Sequence, residues 1–282
     1  MLPRSFGCFD RALLHRVARR CFLPFHERAP LQACSTWNFF INPLPNAFRF
    51  GIIIAEVKPM NVGFVVAMES EYVPFLSKLG KFVDSEVLAG IEFCKYELYD
   101  RTIFLAKCGI GEIASSAATA LLIGRFGCRY IVNFGLVGSL DGASCGAIAL
   151  VRDVVHYDCD ITAFGHLLGA PADIDDPFIL ADQKMVRSLE RFKLPVLRLA
   201  SGDKFVADPA LNNKIKTDFS ANICDMEGAG IALTCARAHV PFTMIKLVSD
   251  GANDNATEDF KLAKERTFGR AFDIVLAVIR EA

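Results

Sequence analysis

The sequence predicts a single α/β domain, a mixed and mostly parallel central sheet flanked by helices, running from about residue 60 to the C-terminus. Three observations predict it. Short runs such as "VGFVVA", "TIFLAK", "YIVNFG" and "FTMIKLVS" are apolar at nearly every position rather than at alternate ones, which is what a strand buried on both faces requires. Helix-like stretches lie between these runs, two of them closed by glycine. The chain has 282 residues, 52% hydrophobic and 22% charged, enough to bury a substantial core.

The elements follow in order. "VGFVVA" reads as the first strand, and Tyr72 to Leu79 as a helix ended by Gly80. "IEFCKYELYD" and "TIFLAK" read as strands. After "CGIG" comes a helix from Glu112 to Phe126, closed by Gly127, and then strands "YIVNFG" and "AIALVRDVV". A helix near Lys184 to Phe192 precedes strand "VLRLA". The chain finishes with strand "NICD", helix "EGAGIALTCARA", strand "FTMIKLVS" and a helix from Glu258 to Ile279. There is no internal repeat and no low-complexity tract, so the alternation implies one sheet covered on both faces.

Residues 1–59 read differently. They hold eight Lys or Arg against three acids, whereas the remainder holds 23 against 29. Apart from "FDRALLHRVARRCF", which has the pattern of one basic amphipathic helix, they lack periodicity. A transit peptide, an in-frame stretch ahead of a start at Met60, and a genuine extra segment are the three readings. The start at Met60 is adopted, because "NVGFVVAMESE" then opens the domain with a strand. Residues 1–59 are therefore expected to be an extension outside the fold. The expected location is the cytoplasm, or an organelle if the extension is a transit peptide.

Composition also excludes. A net charge of -1 gives no electrostatic case for nucleic acid. No apolar run approaches the roughly 20 residues of a membrane helix, so no membrane partner is expected. The ten cysteines show no C-x-x-C pair, and Cys94, Cys128 and Cys235 lie inside apolar runs. They read as buried thiols in a reducing compartment.

In open α/β sheets ligands bind beyond the carboxyl ends of the strands. Three acids stand there: Glu71 after "VGFVVAM", Glu227 after "NICDM", and Asp250 at the end of "FTMIKLVSD". Each alone reads equally well as a cap facing the positive end of a helix dipole. Three on one sheet edge, with no Lys or Arg beside Glu227 or Asp250 in sequence, point to chemistry. Other constellations carry less. "GIGEIA" has dinucleotide-fingerprint spacing, but only Asn133 stands where the ribose acid belongs. "HYDCD" sets His156, Asp158 and Asp160 at alternating positions; hydrogen bonding is preferred there over metal ligation. Cys108 and Cys224 have no neighbouring His to act as base.

"VAMESE", "CGIG", "HYDCDITAFG", "SGDKF", "DMEGAG" and "LVSDGA", in this order, resemble the nucleoside phosphorylase and nucleosidase superfamily, most of all the 5'-methylthioadenosine/S-adenosylhomocysteine nucleosidases. The resemblance runs from Met60 to the C-terminus. It implies a nucleoside phosphorylase-like fold and hydrolysis of an N-ribosidic bond to release adenine, with no cofactor and no metal. By resemblance, Asp250 would be the general acid at adenine N7 and Glu71 would orient and deprotonate water. Glu227 would hold the ribose hydroxyls over Met226. Phe205 would stack on adenine, the backbone of Val206 would read its edge, and Ser249 would support Asp250; Met68 and Ile110 complete the expected substrate-binding set, while Asp225 is left as structural. Ile161, Phe164 and His166 would line the 5'-substituent pocket of a neighbouring copy, since the family forms homodimers.

Departures from the family pattern are Leu136 in place of Ser, Lys246 in place of Arg, His166 in place of Tyr, and a short "GANDNATEDF" loop. The glycine loops "KCGIGE" and "NFGLVGS" lack the arginines with which phosphorylases clamp phosphate, which favours water as the nucleophile. Futalosine-type hydrolysis, phosphorolysis and non-catalytic nucleoside storage remain as alternatives.

Overall fold

The computed structural model describes residues 60–249 and 268–282 and the backbone of Asp250. Residues 1–59, the loop 251–267 and the side chain of Asp250 lie outside the described part. So do the expected basic helix, the start of the last helix near Glu258 and the short-loop departure.

The sheet has ten strands. They are β1 (Met60–Val66), β2 (Lys81–Leu88), β3 (Ile91–Leu98), β4 (Arg101–Lys107), β5 (Tyr130–Ser139), β6 (Ile148–His156), β7 (Ile179–Leu180), β8 (Val196–Ser201), β9 (Ile223–Asp225) and β10 (Phe242–Asp250). The helices are α1 (Glu69–Tyr72), α2 (Glu112–Gly124), α3 (Gln183–Ser188), α4 (Pro209–Phe219), α5 (Gly228–Ala238) and α6 (Phe268–Glu281). Strand order is β10-β6-β8-β9-β5-β1-β4-β3-β2, with β7 on β6 and an additional pairing of β10 with β5. The sheet is mixed. Its middle, β4-β1-β5-β10, is parallel, and β2, β3 and β4 form an antiparallel meander at one edge. Because β10 pairs both with β5 and with β6, strands β5, β10, β6, β8 and β9 close a circuit.

The fully apolar strands are explained by burial on both sides. Along β1, Val62, Phe64 and Val66 face one core and Val65 the other; β10 splits the same way, Ile245 and Leu247 against Met244 and Val248. One core is roofed by α2 and α5, through Ala118, Leu122, Ile231 and Ala232. The other is roofed by α6, through Phe272, Val275 and Val278. The period of two in the strands is masked in the sequence because both faces want apolar side chains.

Five elements differ from expectation. The two-residue β7 is too short to show a pattern, and the helix near Lys184 to Phe192 is α3 followed by a 3₁₀ segment, Leu189–Phe192. The helix read from Tyr72 to Leu79 is instead the short α1 followed by a 3₁₀ segment, Val73–Lys78. Pro74 lacks the N–H that an α-turn needs there. Phe75 of that segment stacks on Phe272 at 4.4 Å and meets Phe134 edge-on at 5.0 Å, which anchors the turn that carries Glu71. Strand β2 went unread because most of its residues are exposed, so neither apolar run nor clean alternation marks it. Its hairpin to β3 turns through Ala89 and Gly90, both at positive φ, the backbone of a tight primed turn. Helix α4 went unread because it buries only Ile215 and Phe219. Its start was written nonetheless, since Asp208 accepts the N–H of Ala210 and Pro209 opens the helix.

Candidate active site

The carboxyl ends of β1, β5, β9 and β10 and the loops after β4 and β8 surround a cavity of about 140 Å³. Met68, Glu71, Ile110, Leu136, Phe205, Val206, Asp225, Met226, Glu227 and Ser249 are among its lining residues. Eight residues of the expected site thus meet at one sheet edge: Met68, Glu71, Ile110, Phe205, Val206, Met226, Glu227 and Ser249. Asp250 closes β10 with its backbone opposite Gly138. Ile161, Phe164 and His166 lie in the loop after β6 and are not among the residues lining this cavity; Phe164 is 84% exposed.

Glu71 is 2% exposed. Its Oε2 accepts the N–H groups of Ala67 (3.0 Å) and Met68 (2.9 Å), and its Oε1 accepts the N–H of Leu136 (3.1 Å). The tight turn after β1 makes the first two bonds possible, and the parallel neighbour β5 supplies the third. Burial pushes its carboxyl above the usual range, against the opposing pull of these donors and of Lys246.

Glu227 is the N-cap residue of α5 but does not cap it. Its Oε1 accepts instead from the N–H of Gly111, in the loop after β4, at 2.9 Å. Of the two readings of this acid, the cap is the one that the geometry does not bear out. Burial, then the charge of Asp225, push its carboxyl up to about 7. The first turn of α5 is capped by other acids: Asp225 takes the N–H of Gly228 (3.1 Å) and Glu112 that of Gly230.

Beneath the cavity floor Lys246, 1% exposed, pairs with Asp225 at 2.6 Å. This pair had no signal in the sequence beyond the lysine itself, because its partners are 21 residues apart on different strands. Ser249 is buried and its hydroxyl donates to Val137 O at 3.2 Å.

The glycine loop after β4 spends its donors on the protein. Gly109 N–H reaches Ala67 O, Gly111 N–H reaches Glu227, and Glu112 N–H reaches Asp203 Oδ1 at 2.8 Å. A helix N-terminus that holds phosphate offers such groups to the ligand; here carboxylates and a carbonyl occupy them. Asn133 is buried and donates to Val65 O and Phe134 O. In "HYDCD", His156 and Asp158 pair at 2.9 Å and Asp160 accepts from Thr162. Among the described residues no group of three or more His, Cys, Asp or Glu could hold a metal ion. Among them, too, no helix is long and apolar enough to cross a membrane.

A buried two-carboxylate pocket at the carboxyl edge of such a sheet fits a known class, and residues 61–280 match the phosphorylase superfamily. The chain belongs to that superfamily. Within it, the chain is 34% identical over 209 residues to the 5'-methylthioadenosine/S-adenosylhomocysteine nucleosidase of Shewanella denitrificans, covering 71% of this chain and 90% of that protein. It is 35% identical, with the same coverage, to the nucleosidase of Shewanella pealeana. Among solved structures it is similar to the futalosine hydrolase of Helicobacter pylori, with 25% identity, a TM-score of 0.75, and coverage of 79% of this chain and 99% of that one. The Helicobacter pylori nucleosidase complexed with butyl-thio-DADMe-Immucillin-A gives 25% identity and a TM-score of 0.73, with the same coverage.

Proposed function

We propose that this protein hydrolyses the N-ribosidic bond of 5'-methylthioadenosine and S-adenosylhomocysteine and releases adenine. The observation that carries the reading is the pairing of Glu71 and Glu227 in one apolar-walled cavity, with Phe205, Val206 and Met226 beside them and the end of β10 alongside.

The chemistry follows from what an oxocarbenium-like sugar needs. Water adds its oxygen to the anomeric carbon while the carbon–nitrogen bond breaks. The water proton passes to Glu71, and Asp250 protonates N7 so that adenine leaves neutral. A carboxylate has about four acceptor sites; Glu71 uses three on backbone N–H groups, leaving one for a water. Glu227 keeps Oε2 for ribose hydroxyls while Oε1 holds Gly111. Phe205, half exposed at 54%, offers its ring to the base.

Water rather than phosphate as nucleophile is supported by the occupied loop donors and by the acids that occupy them. Ile161, Phe164 and His166, remote from this chain's cavity, are assigned to the 5' pocket of a second copy in a homodimer. Similarity to a futalosine hydrolase at an equal level of structural likeness favours a second reading with the same acids and a different 5' group. The test is adenine release from methylthioadenosine, with and without phosphate, beside the same assay on futalosine. Phosphate-independent release from methylthioadenosine supports the first reading. Release from futalosine alone supports the second, and tight nucleoside binding without any release would turn the assignment to a storage protein.

A further inference from the structure

Glu112 is the acid for which the catalytic reading has no use. It opens α2, yet its side chain leaves its own helix. Oε1 lies 2.5 Å from Ser201 Oγ at the end of β8, Oε2 accepts the N–H of Gly230 in the first turn of α5, and the residue is 6% exposed. Ser201 Oγ is simultaneously 2.5 Å from Asp225 Oδ1. Asp225 receives Gly228 N–H on that oxygen and Lys246 Nζ on the other.

Counting hydrogens gives this cluster a direction. A serine hydroxyl carries one hydrogen, so it can bridge only one of its two 2.5 Å contacts. The other would set a hydroxyl lone pair against a carboxylate oxygen, unless that carboxyl brings its own proton. Asp225 holds the ammonium of Lys246, so the negative charge belongs there. Glu112 has no cation bonded to it among the described residues.

We propose that Glu112 stands as a neutral carboxylic acid, donating Oε1–H to Ser201 Oγ, which donates in turn to Asp225 Oδ1, and that this relay ties α2, β8 and α5 together beneath the cavity. Glu112 is thus a positioning residue: it fixes the segment from Asp225 to Gly230 that carries Glu227. Every donor and acceptor in the relay is then matched, the condition under which a buried polar network stabilises rather than costs.

The relay ties stability to pH. The ionisable groups around Glu112 are Asp225 on β9, Glu227 at the start of α5, Tyr157 after β6, Asp203 after β8 with Asp158 behind it, and Lys246 on β10 beyond Asp225. Burial first, and Asp225 second, push the Glu112 carboxyl up to about 8 from an ordinary value of 4.5. The unfolded chain gives up this proton first. Stabilisation by Glu112 is therefore fully present below about 4.5 and is lost as pH rises to about 8.

The test compares the full-length wild type with Glu112→Gln, whose amide N–H2 can still donate to Ser201 and whose carbonyl can still accept from Gly230. The wild type at pH 6 is expected to show an infrared carbonyl stretch of a protonated carboxylic acid that is missing from Glu112→Gln, and its melting temperature is expected to fall more steeply between pH 6 and 9 than that of the variant. Identical spectra, or identical pH slopes, would overturn the proposal. Should Glu112→Gln not fold, Ser201→Ala removes the acceptor of the proton. The band must then move to higher frequency, and a band that stays in place overturns the relay. None of these measurements uses a substrate, so they stand apart from the fate of the nucleosidase reading.

Discussion

In the proposed reaction Asp250 and Glu71 divide the work between an acid and a base, and a substitution at either is expected to separate chemistry from binding. Asp250→Asn is expected to lower turnover by roughly 10²- to 10⁴-fold, the usual contribution of a general acid, with little change in KM. Single-turnover adenine release checks this, and near wild-type turnover would remove Asp250 from the mechanism. Glu227 supplies a pH dependence of its own. With its carboxyl pushed up to about 7, it would have to lose its proton to accept two ribose hydroxyls in the proposed role. The rate constant kcat/KM, which reports the free enzyme, is therefore expected to rise with pH through an acidic limb near 7, and a profile flat from pH 5.5 to 8 would contradict that role. Glu71, Glu227 and Asp250 stood out in the sequence because each lies within a few residues of the end of an apolar run, and the family resemblance then gave each its expected role. The identity of the groups that hold the two glutamates was not legible there. Gly111 is 116 residues from Glu227 and Leu136 is 65 from Glu71, and only a parallel sheet brings such pairs together.

Helices α2 and α5 meet at Gly230, and this contact is the tightest test of how elements set the site. A Cβ built on Gly230 would lie 2.4 Å from Glu112 O, 2.5 Å from Ser115 Oγ and 2.6 Å from Ser116 Oγ. Alanine in a helix ordinarily gains up to about 1 kcal/mol over glycine. Here overpacking costs about 1–3 kcal/mol, so Gly230→Ala is expected to lower the melting temperature by several degrees. It should also weaken substrate binding through Glu227; a variant as stable as the wild type would mean that the helices slide apart freely. The sequence displayed "EGAG" as a small-residue helix start but not the neighbour that demands small residues. Similarly, Pro74 was visible while its effect on the helix after β1 was not drawn, and β2 lacked any buried face to announce it. Elements buried on two sides were readable, and those with one thin apolar face were not, because periodicity records burial and little else.

At the level of the whole molecule, exposed apolar side chains bear on assembly. Ile110 is 59% exposed, Ile113 83% and Phe164 84%, apolar area that a second copy would cover at a gain of about 25 cal/mol per Å². Sedimentation at micromolar concentration is expected to give a dimer, and Phe164→Asp is expected to shift it toward monomer while raising KM for nucleosides with a long 5' substituent. A monomeric wild type with full activity would remove the shared-pocket assignment. A shortened chain beginning at Met60 is expected to fold and to keep its activity, as judged by melting and adenine release; loss of folding would give residues 1–59 a structural role.

Strand β10, with β5 on one side and β6 on the other, has a consequence for how the protein is made. It contributes the Ser249 wall of the cavity, the lysine under its floor and the backbone of Asp250, yet among the described residues it is the last strand in the chain to be made. Until residues 242–250 dock, much of one side of β5 and the start of β6 lack the β10 ladder, and unpaired strand edges invite pairing with other chains. A nascent chain can complete the meander of β2, β3 and β4 early, since those contacts are local. The pocket must wait until residues 242–250 have been made, because its closing pairings span from 95 residues (Leu150 to Ile245) to 112 (Gly138 to Asp250) and are correspondingly slow to find.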